Sequence, residues 1–288
     1  MNTNKHDIIT FGRSSIDLYS QNIGAPFNLI KGFDAFVGGS PLNIAVGCCR
    51  LGLDASLLSA VGEDKVGEFL INFLTEEGVN VTNVPTKKGT RTSAVILGIE
   101  PPDKFPLVFY RDNASDSQVD IDDVDRANIP NYKVLLINGT AMNIEPTRSA
   151  TFYATEVALK NNVKVVLDLD FRADQWHDYR AFGVTVRAIL PQVKIAIGTE
   201  EEILAATIEN VSQVEIKDQQ MSAPEIKGDI DLAIKKILVS GIETLIVKRG
   251  EKGASIHSRD GTVTLVPGFP VEILNVLGAG DAFASGFL

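Results

Sequence analysis

Apolar and polar positions along the chain follow two alternating periods. Short runs dense in Val, Ile and Leu at 8–13, 56–61, 134–138, 163–168, 194–198 and 244–248 read as strands. Stretches with helical spacing near 41–52, 65–78, 147–161, 199–209 and 229–240 fall between them. Near-continuous apolar strands separated by helices predict an α/β fold, with a mostly parallel sheet covered on both faces. Ligands of such sheets lie at the carboxyl ends of strands. Asp17, Asn138, Gly139, the run from Asp168 to Arg172, Gly198 and Thr199 all follow predicted strand ends.

Two stretches, about 18–37 and 91–113, break the rhythm. Short alternating strands succeed one another there without a helix, as in a pair of surface hairpins. Residues 208–228 are polar and nearly aperiodic and predict an exposed loop. No internal repeat or low-complexity tract interrupts the chain.

The 288 residues, 44% of them apolar, are enough for a packed core in one large domain or two smaller ones. No apolar run approaches the ~20 residues that cross a bilayer, and residues 1–6 lack the charged and apolar regions of a signal peptide. Cys48 and Cys49 are neighbours in a predicted buried helix, a poor arrangement for a disulfide, so a reducing cytoplasm is the expected location. A formal charge of −10 sets long-range electrostatics against nucleic acid and anionic membranes. An anionic substrate would have to be held by individual arginines.

The chemistry concentrates at Gly278-Ala279-Gly280-Asp281, between a β-branched run at 263–276 and an apolar helix start at 282–288. Small residues let several N–H groups converge on one anion at a helix N-terminus, and a carboxylate there could take a proton from an attacking hydroxyl. The same four residues also suit a glycine turn with Asp281 as helix N-cap. A second segment, Gly38-Gly39-Ser40-Pro41-Leu42-Asn43, puts a glycine pair before a helix with Pro and a polar amide in its first turn. Gly62 and Gly67 have P-loop spacing, but Glu68-Phe69 replaces the required Lys and Ser/Thr. Phe283 occupies the third glycine position of a dinucleotide fingerprint, which excludes that reading too. His6, His177 and His257 are scattered without metal-ligand spacing.

Asp17, the glycine pair with Asn43, Gly62-x-Asp64-x-x-Gly67 and Gly278 to Asp281, in this order and spacing, resemble the ribokinase-like PfkB family of carbohydrate kinases. The resemblance runs from about residue 7 to the last. It implies one kinase domain over 1–288, with a ribokinase-like α/β core and with 18–37 and 91–113 as a small β-sheet lid. It also implies a homodimer formed through that lid, and ATP and magnesium as nucleotide and cofactor. Asp281 would be the general base, and the amides of Gly278, Ala279 and Gly280 would stabilise the transferring charge. Asp17, Gly38, Gly39 and Asn43 match positions that bind sugar hydroxyls.

Glu201 matches the glutamate of an Asn-x-x-Glu element that acts near magnesium, although Gly198 replaces the Asn and Thr199 to Glu202 also spells a capping box. Gly250 and Gly253 resemble the family's nucleotide-side turn, with Lys248 and Arg249 read as solvated. Asn275 stands where many members carry an Asp that helps bind a monovalent cation, which weakens the expectation of that ion.

Two further stretches, residues 109–114 and 168–172 with Trp176, resemble the family's sugar-acid kinases. Arg111 and Arg172 match positions facing the substrate carboxylate there, with exposed surface ion pairs as the competing reading. The substrate so implied is 5-dehydro-2-deoxy-D-gluconate, an intermediate of inositol breakdown, with 2-keto-3-deoxygluconate next and a fructokinase-like or inactive sugar-sensing relative behind. Family members continue well past the Asp281 motif, so the C-terminus is expected to be incomplete, its apolar last residues making an implausible free end.

Overall fold

The computed structural model describes residues 5–100, 105–215, 225–272 and 276–288. In chain order the first half comprises β1 (His6–Phe11), β2 (Ser15–Ser20), β3 (Phe33–Gly38), α1 (Ser40–Arg50), β4 (Ala55–Leu58), β5 (Val61–Gly62), α2 (Lys65–Glu76), β6 (Thr86–Lys87), β7 (Ser93–Leu97) and β8 (Leu107–Tyr110). The middle adds α3 (Ile121–Ala127), β9 (Tyr132–Asn138), α4 (Thr147–Lys160), β10 (Lys164–Asp168), α5 (Tyr179–Ile189), β11 (Ile195–Thr199) and α6 (Glu200–Ala206). Then follow β12 (Val214–Glu215), β13 (Glu225–Ile226), α7 (Ile230–Val239), β14 (Thr244–Lys248), β15 (Ala254–Ser258), β16 (Val263–Val266) and α8 (Ala279–Phe287).

The main sheet has eight strands in the order β16-β15-β14-β11-β10-β9-β1-β4. It is parallel from β14 to β4 and antiparallel at the β14-β15-β16 edge. Its period-2 alternation separates two layers. Ile9, Phe11, Leu135, Ile137, Val165, Leu167, Leu245 and Val247 face a core shared with α3 to α7. Ile8, Leu136, Val166, Ile197 and Ile246 face Ile44 and Cys48 of α1 and Ala284 of α8.

A second sheet, β3-β2-β7-β8, is built from the two stretches that broke the βα rhythm. Asp17, expected after the first strand, sits within the central strand β2 of this sheet, opposite Phe36 and Val95. No helix among the described residues is long and apolar enough to cross a membrane.

Two helices, α3 and α5, were not expected from sequence. The β-branched run Val184-Thr185-Val186 obscures α5, whose inward stripe of Phe182, Gly183, Val186 and Ile189 appears only once its exposed face is known. The polar segment at 208–228 contains the short β12–β13 ladder with Ile226 buried, and residues 216–224 lie outside the described ones. The β-branched run at 263–276 is strand only over Val263–Val266, with 273–275 outside the described residues.

Candidate active site

The carboxyl ends of β9, β10, β11 and β14 lie side by side, bringing Asn138, Asp168, Thr199 and Lys248 to one edge of the sheet. Helix α8 is laid over this edge by its packing on α1. A Cβ added to Gly47 would lie 2.3 Å from Ser285 Oγ, so glycine is what lets the two helices approach. Ser285 Oγ donates to Ile44 O at 3.3 Å across the same contact.

Gly278 is the N-cap of α8, in the left-handed region at φ 77°, and no side chain caps the helix. Asp281 is therefore not the N-cap. Its Oδ2 accepts a 2.7 Å hydrogen bond from Asn43 Nδ2 instead. Burial raises the Asp281 carboxyl above the usual carboxylate range, with Asn43 pulling it back. Ala279 N–H donates to Val276 O at 3.3 Å, whereas the N–H groups of Gly280 and Asp281 meet no acceptor among the described residues. Ala279 N–H is therefore engaged in the turn before α8, while the N–H of Asp281 is open beside that of Gly280.

Asp281 and Asn43 line a pocket together with Arg13, Asp17, Phe109 and Arg172. Ser15 Oγ donates to Asp17 Oδ1 at 2.7 Å, and burial raises the Asp17 carboxyl. The two glycines before α1 make this possible in different ways. A Cβ on Gly38 would stand 2.1 Å from the Asp17 carboxyl, and one on Gly39, at φ 106°, would stand 2.3 Å from Arg13 O. Gly39 lines the pocket; Gly38 acts by leaving room for Asp17.

Arg172 reaches the pocket from the loop after β10, its Nε 3.0 Å from Asp170 Oδ1. Asp170, at the unusual φ of 35°, also accepts from Asn138 Nδ2 and Thr140 Oγ1, each at 3.0 Å. Phe171 and Trp176, part of the sugar-acid pattern, are buried against Phe182 with ring centroids 4.6 and 5.4 Å away. They anchor the loop that carries Arg172. Aromatic pairs of this kind contribute about 0.5–1.5 kcal/mol each beyond burial.

Arg111 is not brought to this pocket. Its guanidinium is committed to an ion pair with buried Asp116 and to hydrogen bonds with Gln175 (2.8 Å) and Ser117 (3.1 Å). Facing the carboxylate of a substrate would break that pair, so the geometry does not favour the role expected of Arg111. Arg13, which the pocket does contain, stands at the end of a sequence-predicted strand and is not among the expected site residues. A charged residue between a buried strand and the start of a second sheet was the signal available for it.

A second pocket is lined by Thr199, Glu200, Glu201, Lys248, Arg249 and Gly250. Thr199 and Glu202 form the capping box of α6, leaving Glu201 exposed in its first turn without a partner among the described residues. Gly250, at φ 56°, lines the pocket. Gly253 does not; a Cβ there would lie 2.1 Å from Val266 O, so it serves the β14–β15 connection. Arg249 pairs with Glu200 at 2.8 Å.

Lys248, expected to be solvated, is largely enclosed instead, its side chain 12% exposed. Its Nζ lies 3.3 Å from Asp168 Oδ1, 3.6 Å from Glu202 Oε2 and 3.3 Å from where a Cβ on Gly280 would stand. Burial opposes the ammonium, but Asp168 and Glu202 hold its pKa above the usual lysine range. Burial also pushes the Asp168 carboxyl up to about 7, with Lys248 opposing. A cation is thus held beside a helix N-terminus, where only an anion, or the neighbouring carboxylates, makes it stable. Among the described residues no three metal-ligating side chains cluster, and Asn275 lies outside the described residues.

The pfkB family carbohydrate kinase model matches residues 5–288. The 5-dehydro-2-deoxygluconokinase of Clostridium perfringens is 31% identical over 99% of this chain and 80% of its own length. That of Bacillus velezensis is 30% identical over 98% of this chain and 81% of its own. The crystal structure of fructokinase with bound ATP from Xylella fastidiosa has a TM-score of 0.82 at 22% identity, covering 98% of this chain and 80% of that one. Its likeness shows the fold. On a ribokinase-like α/β fold, matched along nearly all its length, this chain belongs to the PfkB family of carbohydrate kinases and is a phosphotransferase acting on a sugar hydroxyl.

Proposed function

We propose that the chain transfers the γ-phosphoryl group of ATP to the terminal hydroxyl of 5-dehydro-2-deoxy-D-gluconate, with 2-keto-3-deoxygluconate as the nearest alternative acceptor. The observation that carries this reading is Asp281, a carboxylate in the first turn of α8 that caps nothing, is held by Asn43 and opens onto a pocket with two guanidiniums. The names of the relatives at 31% identity support the choice of acid.

Asp281 accepts the hydroxyl proton as the hydroxyl oxygen attacks the γ-phosphorus. The new O–P bond forms while the bond from phosphorus to the ADP oxygen breaks. The N–H groups of Gly280 and Asp281, with the positive end of α8, meet the charge on the transferring group. Lys248, in the second pocket and close to Gly280, turns from Asp168 and Glu202 to the same charge. Asp17, seated over Gly38, and Asn43 orient the acceptor hydroxyls.

Magnesium supplies charge neutralisation on the nucleotide phosphates and needs only one or two protein carboxylates. Glu201, exposed beside Gly250 in the second pocket, is the carboxylate that would meet the ion.

An ATP-consumption assay with 5-dehydro-2-deoxygluconate, 2-keto-3-deoxygluconate, fructose and ribose tests the reading. The first is expected to give the highest kcat/KM. Preference for a neutral sugar would sink the sugar-acid assignment.

A further inference from the structure

Arg13 is 92% buried, yet no carboxylate stands within ion-pair distance of it among the described residues. Nη1 donates to Ser15 Oγ at 2.9 Å, the guanidinium carbon lies 5.4 Å from the centroid of the Phe109 ring, and the buried Nε has no hydrogen-bond partner. A guanidinium carries five N–H donors, and burying it with one neutral hydroxyl acceptor is costly. Arg111 is different, since Asp116 neutralises it within the fold.

Arg13 nevertheless lines the pocket that holds Asp17, Arg172 and Asp281. The carboxylates that feel its charge without pairing with it are Asp17, reached through Ser15, Asp174, and Asp170, which is already claimed by Arg172, Asn138 and Thr140. Arg172 sets its Nε against Asp170, lines the pocket, and makes no other side-chain hydrogen bond among the described residues. Two planar guanidiniums with unclaimed donors therefore share one cavity wall, while the base sits on α8. A planar fork matches a carboxylate, and the Phe109 ring lies against one of them, 5.4 Å from its guanidinium carbon.

We propose that Arg13, together with Arg172, receives the carboxylate of the acceptor, and that Arg111 supports the fold behind them. This rests on the sugar-acid reading above. It assigns the ligand's anionic end to Arg13 and leaves its hydroxyl end to Asp281. The unsatisfied Nε then has its acceptor, and the charge of Arg13 its counter-ion, only when an acid is bound.

The test is steady-state kinetics with 5-dehydro-2-deoxy-D-gluconate at saturating ATP for wild type, Arg13→Met, Arg13→Lys and Arg111→Lys. Binding of the same acid without ATP is measured alongside by calorimetry, with the melting temperature of each variant. Loss of a charged hydrogen-bonded pair predicts a KM and a Kd raised roughly 10–10²-fold in Arg13→Met, with kcat changed less than about 3-fold. Arg13→Lys, which keeps the charge and the fold, should recover only part of the loss. If Arg13→Met does not fold, Arg13→Lys carries the test alone. Arg111→Lys should lower the melting temperature and leave KM within about 3-fold. An unchanged Kd in Arg13→Lys, or a KM raised by Arg111→Lys and not by Arg13→Lys, overturns the assignment while leaving the sugar-acid reading intact. A wild type that phosphorylates only neutral sugars overturns both.

Discussion

Replacing Gly38 by alanine should disable acceptor binding through a single methyl group. The added Cβ would sit 2.1 Å from the Asp17 carboxyl, where ordinary contact begins near 3.4 Å, so the carboxyl must move by more than about 1 Å. Gly38 itself lies outside the left-handed region, so alanine adds no backbone strain and the clash falls on Asp17 alone. Moving Asp17 breaks its 2.7 Å hydrogen bond from Ser15 and misplaces its acceptor oxygens by a distance that costs about 10²-fold in rate for a positioned group. The lost buried hydrogen bond is worth about 1–3 kcal/mol of stability, a decrease of several degrees in Tm. Kinetics with varied acceptor at saturating ATP should show kcat/KM lowered about 10²-fold. KM for ATP should stay within about 2-fold, because the second pocket is untouched. A Gly38→Ala enzyme with kcat/KM within about 3-fold of wild type would refute the placing of Asp17 against the acceptor.

Other outcomes follow from the Lys248 cluster and from Arg172. Lys248→Met should lower kcat and weaken ATP binding, and also cost stability, because breaking a buried pair typically loses about 3–5 kcal/mol; adding Asp168→Asn should restore Tm but not turnover, and recovery of both would make Lys248 purely structural. Asp168, with a folded pKa of about 7 above its unfolded 3.8, contributes stability that is full below pH 3.8 and lost as pH rises through 7. Thermal melts of Asp168→Asn should therefore decline less over that interval than wild type, and parallel curves would contradict the burial argument. Arg172→Ala should reduce kcat/KM for the sugar acid roughly 10–10²-fold and change a neutral acceptor little; equal losses would remove its link to the carboxylate.

The parallel sheet was legible because its strands are buried on both faces and read as continuous apolar runs between helices. The second sheet was legible as an interruption of that rhythm. What escaped is where side chains of similar chemistry end. Arg13 and Arg111 both follow β runs, yet the first has no ion-pair partner among the described residues and lines the pocket while the second is neutralised by Asp116, whose burial no local pattern reveals. Lys248 resembles any lysine at a strand end until Asp168 and Glu202, 80 and 46 residues earlier, are brought against it. Gly250 and Gly253 share one turn motif, and only the course of β16 decides that one meets a pocket and the other a carbonyl.

The turnover number of Asp281→Asn bears most directly on the proposed chemistry. Asparagine preserves the shape and can keep a hydrogen bond to Asn43 but cannot take the proton, so kcat for the sugar acid with ATP should fall roughly 10²–10⁴-fold at unchanged Tm and acceptor Kd. A folded Asp281→Asn protein that keeps most of its wild-type turnover would contradict the assignment of Asp281 as the base.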